Sequence, residues 1–129
     1  EEHEAKASAL LRLARLRREQ QRDEEANDAL RQAVVLDGPG GEAAIEYKSA
    51  LSSPTEWESY VRTLGEHLNT SGGQVVPVHL EMARVQFDQL GQVEAALAAL
   101  REAIKRQKEL KVKGEQYRQQ YEQEMRRMD

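Results

Sequence analysis

The sequence predicts an all-α protein, an α–α superhelix of stacked helical hairpins closed by a C-terminal capping helix, on three observations. The first is an internal repeat. EEANDALRQAV at Glu24–Val34 returns seventy positions later as EAALAALREAI at Glu94–Ile104. Six positions are identical (Glu24/Glu94, Ala26/Ala96, Ala29/Ala99, Leu30/Leu100, Arg31/Arg101, Ala33/Ala103) and two are conservative, Gln32/Glu102 and Val34/Ile104. Self-similarity at a fixed offset marks a repeat array, and seventy residues is close to two helical-hairpin units of about 34. The second is apolar periodicity at three- and four-residue steps along most of the chain, which is the helical period. The third is a pair of breaker clusters, Asp37-Gly38-Pro39-Gly40-Gly41 and Asn69-Thr70-Ser71-Gly72-Gly73, which divide the chain into lengths that each hold a two-helix unit, the last with a terminal helix besides.

Taken in order, Ala9, Leu10, Leu13, Ala14 and Leu16 predict an amphipathic helix from Ala5 to about Arg17, with Glu1, Glu2 and Glu4 at its positive dipole end. A turn near Gln20–Asp23 follows, and a second helix runs from about Asp23 to Leu36. In the middle unit Ala43, Ala44, Tyr47, Ala50 and Leu51 form the first stripe. Ser53-Pro54-Thr55-Glu56 then reads as an N-cap, a first-turn proline and a capping-box Glu opening the helix of Trp57, Tyr60, Val61, Leu64 and Leu68. The third unit starts near Pro77. Val78, Leu80 or Met82, Val85 and Phe87 form its inner face, Gly91 makes its turn, and Val93–Ile104 is the repeated helix. Tyr117, Tyr121, Met125 and Met128 share one face of a last helix, reached either by a bend at Gly114 or by one continuous helix; the bend is the expectation.

The 129 residues are one domain's worth, with units at about 7–40, 41–74 and 77–110 and a terminal helix at about 111–128. Because the chain begins with Glu rather than Met, it reads as a piece of a larger protein. Hydrophobic residues are 39% and charged residues 33%, with one Trp, one Phe and four Tyr. Such a chain builds a thin two-layer helical stack rather than a thick aromatic core. Without cysteine there is no disulfide or zinc–thiolate site. No apolar run is long enough to insert in a membrane and no signal peptide is visible, so the expected compartment is the cytoplasm. Net charge is −4 and pI about 5.5, which speaks against nucleic acid as a partner, although Arg101, Lys105, Arg106, Lys108, Lys111 and Lys113 concentrate positive charge near the end.

Residues 77–110 resemble tetratricopeptide repeats, through Leu80, Ala83, Phe87, Gly91, Ala96, Leu100 and Ala103. Residues 7–40 match through Leu10, Leu13, Ala14, Ala26, Leu30 and Ala33, with Gln21 where glycine is usual, and residues 41–74 match poorly. The alanines have their own physical reason, since a close helix crossing excludes larger side chains. The resemblance implies a concave face of first helices that holds a protein or peptide partner. By position the candidates are Arg12, Arg15 and Arg18, then Glu46 and Ser49, then Glu81, Val85 and Asp88. The Lys/Asn arrangement with which family members hold a C-terminal carboxylate is missing. Trp57 could anchor a partner or pack between the first two units.

No catalytic residue, cofactor or metal site is expected. His3, His67 and His79 form no ligand pair, and neither glycine cluster precedes a phosphate-loop lysine. His67 is expected to flank an apolar face. The alternative to partner binding is oligomerisation, a homodimer paired along Tyr117, Tyr121, Met125 and Met128.

Overall fold

The computed structural model describes residues 2–70, 75–110 and 114–128. Among them are seven α-helices: α1 Glu2–Glu19, α2 Asp23–Asp37, α3 Glu42–Ser49, α4 Pro54–Leu68, α5 Val75–Asp88, α6 Val93–Leu110 and α7 Gly114–Met128. They fall into two compact units, residues 1–73 and 74–129.

In the first unit α1 and α2 form a close hairpin. Its buried residues are Ala7, Leu11 and Ala14 from α1, and Ala26, Ala29, Leu30, Ala33 and Val34 from α2. Alanine lets the two backbones approach, and the leucines fill the space between the small positions. The α1 stripe expected from the sequence is thereby corrected. Ala14 is buried, but Leu13 is 37% and Leu16 is 47% exposed. The helix carries two apolar faces, and the one with the smaller side chains turns inward because it allows the closer crossing.

The turn between α1 and α2 is a Schellman motif. Arg22 N–H donates to the Arg17 carbonyl (2.8 Å) and Gln21 N–H to the Arg18 carbonyl (2.9 Å), with Gln21 left-handed at φ 62°. The opposite end of α2 stops at Gly38, whose φ of 81° favours glycine and whose N–H donates to the Val34 carbonyl. A Cβ there would also lie 2.7 Å from His67 Nε2. His67 is fully buried, not flanking, and its Nδ1–H donates to the Val35 carbonyl at 2.7 Å. It fastens the end of α4 to the end of α2.

Helices α3 and α4 each pack on α2 and meet one another through aromatic rings, Tyr47 and Tyr60 at 5.9 Å, with Trp57 edge-on to Tyr60 at 6.1 Å. Large side chains at this junction keep the two backbones apart, so the middle pair lacks the close alanine crossing of the first hairpin. The half-buried Trp57 therefore touches a ring of its own helix. The capping box forms as expected: Glu56 N–H donates to Ser53 Oγ, and the Glu56 carboxylate accepts from Ser53 N–H. The Ser52 amide and hydroxyl, followed by the Ser53 amide, donate to the Glu56 carboxylate and hold it below the usual range.

In the second unit α5 and α6 repeat the hairpin, and α7 packs on both. Val76, Leu80, Ala83, Ala96, Leu100, Ala103, Tyr121 and Met128 make one buried cluster, joined by the partly buried Phe87 and Met125. Val78 and Val85, expected on the inner face, are buried but stand outside this cluster. α6 runs past Ile104 to Leu110, and α7 begins at Gly114 as a separate helix. The link at 111–113, with Lys111 and Lys113, and the glycines at 72–73 lie outside the described residues, as does the side chain of Tyr117.

Candidate partner-binding face

The two close hairpins show how the candidate residues are placed. Their second helices align at an offset of seventy, Ala26/Ala96, Leu30/Leu100 and Ala33/Ala103, all buried. Their first helices align at sixty-nine: Ala7/Val76, Leu11/Leu80 and Ala14/Ala83, also all buried. The missing residue is in the turn. At the end of α5 the Leu90 N–H reaches back five residues to the Val85 carbonyl (3.2 Å), a π-type turn, before Gly91 takes the left-handed φ of 65° that Gln21 takes in the first copy.

The one-residue shift rearranges the predicted site. Arg15 is matched by Arg84, and Arg12 by Glu81; Val85 falls with Leu16, and Asp88 with Glu19. Val85 is 5% exposed and so offers no surface to a partner, which corrects its place among the candidates. Arg84 was missed. Aligning the first helices separately from the second ones would have found it.

Arg15 and Arg84 do the same thing in the two copies. Arg15 Nε donates to Glu46 Oε1 at 2.9 Å, with Glu42 beyond at 3.5 Å, and so ties α1 to α3. The Glu46 carboxylate raises the Arg15 pKa. Arg84 pairs with Glu124 at 3.7 Å, tying α5 to α7. Asp88 is likewise engaged inside its unit: Arg127 donates to it (2.9 Å) and to Glu124 (2.8 Å), and its guanidinium lies 4.9 Å from the Phe87 ring centroid. Arg18 donates to Asn27 Oδ1 at 2.7 Å, and the exposed Ser49 hydroxyl donates to the Glu46 carbonyl. Glu81 is half-buried.

Arg12 and Arg15 of α1 and Ile45 of α3 are among the exposed residues of the first unit. Arg12 and Arg15 stand one helical step apart on α1. Ile45, 64% exposed, sits beside Glu46 on α3. Ile45 was not among the sequence candidates, because a single isoleucine at that spacing is indistinguishable from a core residue.

Tyr121 and Met128, proposed as a dimer seam, are buried within the second unit. Among the described residues no group of three or more His, Asp or Glu is placed to hold a metal ion, and no helix is long and apolar enough to cross a membrane.

These features define an all-helical repeat protein. Residues 8–36, most of the α1/α2 hairpin, match the family model described as tetratricopeptide repeat. No curated protein and no solved structure matches the chain. Repeats of that family are in general protein-interaction modules and not catalysts.

Proposed function

We propose that the chain is an adaptor that binds a segment of another protein on the face shared by α1 and α3. The observation that carries this reading is the exposed Ile45 beside Glu46, the residue to which Arg15 ties α1. An exposed apolar side chain beside the Arg15–Glu46 pair, with Arg12 exposed on the same helix as Arg15, fits an extended segment with one apolar residue flanked by acids. Arg12 serves best as the carboxylate partner, since Arg15 and Arg18 are already engaged within the unit. Oligomerisation through α7 is the weaker reading, because Tyr121 and Met128 of that seam are buried in the cluster with α5 and α6.

The test is fluorescence polarisation of the 129-residue chain against twelve-residue acidic peptides carrying a central Leu. Binding that Arg12→Glu and Ile45→Glu each abolish, with melting temperatures unchanged, supports the reading. Binding indifferent to both substitutions, or no binding to any such peptide, defeats it.

A further inference from the structure

The two copies differ in what covers the second helix of the hairpin. In the first unit two following helices, α3 and α4, pack on α2. Polar contacts seat α4 there: Arg31 of α2 donates to Glu66 of α4 at 3.0 Å, and the buried His67 of α4 donates to the Val35 carbonyl. Asp28, 3.6 Å from Arg31, is its second carboxylate. In the second unit α7 takes the part of α3, through an Arg84–Glu124 pair that matches Arg15–Glu46. Among the described residues no helix follows α7 to take the part of α4.

At that place α6 differs from α2 in charge. Arg101 is the match of Arg31, but Ala98 stands where Asp28 stands. Lys105 replaces Val35, and Lys108 replaces Gly38 because α6 runs on where α2 stops. Arg101, Lys105 and Lys108 recur at four- and three-residue steps, over about 10 Å of one exposed helix face. None of the three has an ion pair or side-chain hydrogen bond among the described residues. Of the acids on α6, Glu102 is engaged by Arg106 at 2.9 Å and Glu94 stands two turns before Arg101; the side chain of Glu109 lies outside the described residues. Ile104, beside the three cations, is only partly buried where its match Val34 is 0% exposed.

We infer that this face of α6 receives a carboxylate-bearing helix of another protein. One carboxylate meets Arg101 as Glu66 meets Arg31, others meet Lys105 and Lys108, and an apolar side chain covers Ile104. The occupant is a helix because the first unit seats a helix on the matching residues. It carries more than the one carboxylate that α4 offers because two lysines have been added and Asp28 has been lost. The site is separate from the Ile45 face and does not rest on it.

The probe is a synthetic 18-residue Leu/Glu amphipathic helix, with its Leu/Lys counterpart as control, titrated by calorimetry into the whole chain. The Glu peptide is expected to bind at least about tenfold more tightly than the Lys peptide. The chain's net charge of −4 would favour the opposite order, so this preference reports a local site. Arg101→Glu with Lys105→Glu, both at exposed positions, should cost at least about tenfold in affinity for the Glu peptide. Lys6→Glu with Arg62→Glu makes the same change of charge in the first unit and should cost far less. Ile45→Glu should leave this binding as it is, which separates the site from the Ile45 face. Carbodiimide, which joins a carboxylate to a lysine amine, should link the peptide to Lys105 or Lys108. Equal losses in the two charge-reversed pairs overturn the inference, as do cross-links confined to other lysines, or absence of binding. A self-association that Arg101→Glu with Lys105→Glu abolishes overturns it by giving the face to a second copy. Tighter binding of a single-stranded RNA, lost in the same variant, overturns it by giving the face to nucleic acid.

Discussion

The α1/α2 and α5/α6 hairpins are built alike at their crossings and differently on their surfaces. At the crossings Ala14, Ala26 and Ala33 in one copy stand where Ala83, Ala96 and Ala103 stand in the other, all buried. On the face away from the following helix, Leu10 and Leu13 of the first copy are answered by His79 and Met82 of the second. Close approach of backbones restricts the crossing to small residues, whereas the outer faces can take any chemistry that a neighbour or a partner accepts. What is shared therefore reports the fold, and what differs reports what each copy meets.

The largest expected effect lies at the crossing. Ala33→Leu and Ala103→Leu each force extra volume between close-packed helices and should cost about 1–3 kcal/mol. Ala98→Leu, at an exposed position of α6, should be near neutral, because leucine is a good helix former. Urea midpoints of the three variants decide it. Equal losses at Ala98 and Ala103 would mean that the two hairpins do not share a register.

This register was legible in the sequence for the second helices and not for the first. Identity at six of eleven positions locates α2 and α6, and the alanines in it point directly at the crossings. α1 offers no such guide. Leu10, Leu13 and Leu16 make a better apolar stripe than Ala7, Leu11 and Ala14, so hydrophobicity alone favours the wrong face. Only the steric demand of a close crossing selects the smaller one. The extra turn residue is equally hidden, since a π-type turn leaves no composition signal, and it carried Val85 into the candidate site in place of Arg84. Chemistry at the helix ends was easier to read: Ser53, Pro54 and Glu56 encode their capping box locally. His67 depends on a carbonyl 32 positions away, which no local pattern reveals.

The turns offer the next comparison. Gln21 and Gly91 hold the same left-handed conformation, φ 62° and 65°, which an L side chain adopts at a cost of about 1–2 kcal/mol. Gln21→Gly should therefore stabilise the chain by about 1 kcal/mol and Gly91→Gln destabilise it by a similar amount. A Cβ at Gly91 meets no atom within 4 Å, so the backbone term stands alone. Thermal melts of the pair test this. A Gln21→Gly variant no more stable than the parent would show that the glutamine side chain compensates its own strain.

A smaller and pH-dependent difference is expected at His79. Burial holds its pKa below the ordinary 6.5, and its Nδ1 is buried without a hydrogen-bond partner among the described residues. The unfolded chain then binds the proton more readily than the folded one, so this residue's contribution falls as pH drops below about 6.5. His79→Leu, which copies Leu10 of the first hairpin, should remove that part of the acid-side loss and leave the variant more stable than the parent, most clearly near pH 5. Identical stability profiles of parent and variant between pH 7 and pH 5 would place the imidazole in solvent.

The smallest effect concerns the paired arginines. Arg15 and Arg84 occupy equivalent positions, and each reaches a glutamate on the helix that packs next, Glu46 of α3 and Glu124 of α7. Exposed pairs of this kind contribute about 0.2–1 kcal/mol, so Arg15→Ala and Arg84→Ala should each lower stability by no more than that, and less in high salt. The two should nevertheless differ. Arg15 donates at 2.9 Å to a side chain at the edge of the proposed binding face, while Arg84 stands 3.7 Å from a glutamate that Arg127 also engages. Arg15→Ala frees Glu46 to repel an acidic partner, and it should weaken peptide binding beyond what its stability loss explains. Arg84→Ala should leave binding untouched. If both substitutions weaken the peptide equally, the binding face is not confined to the first hairpin and α3, and the equivalence of the two arginines extends from structure to function.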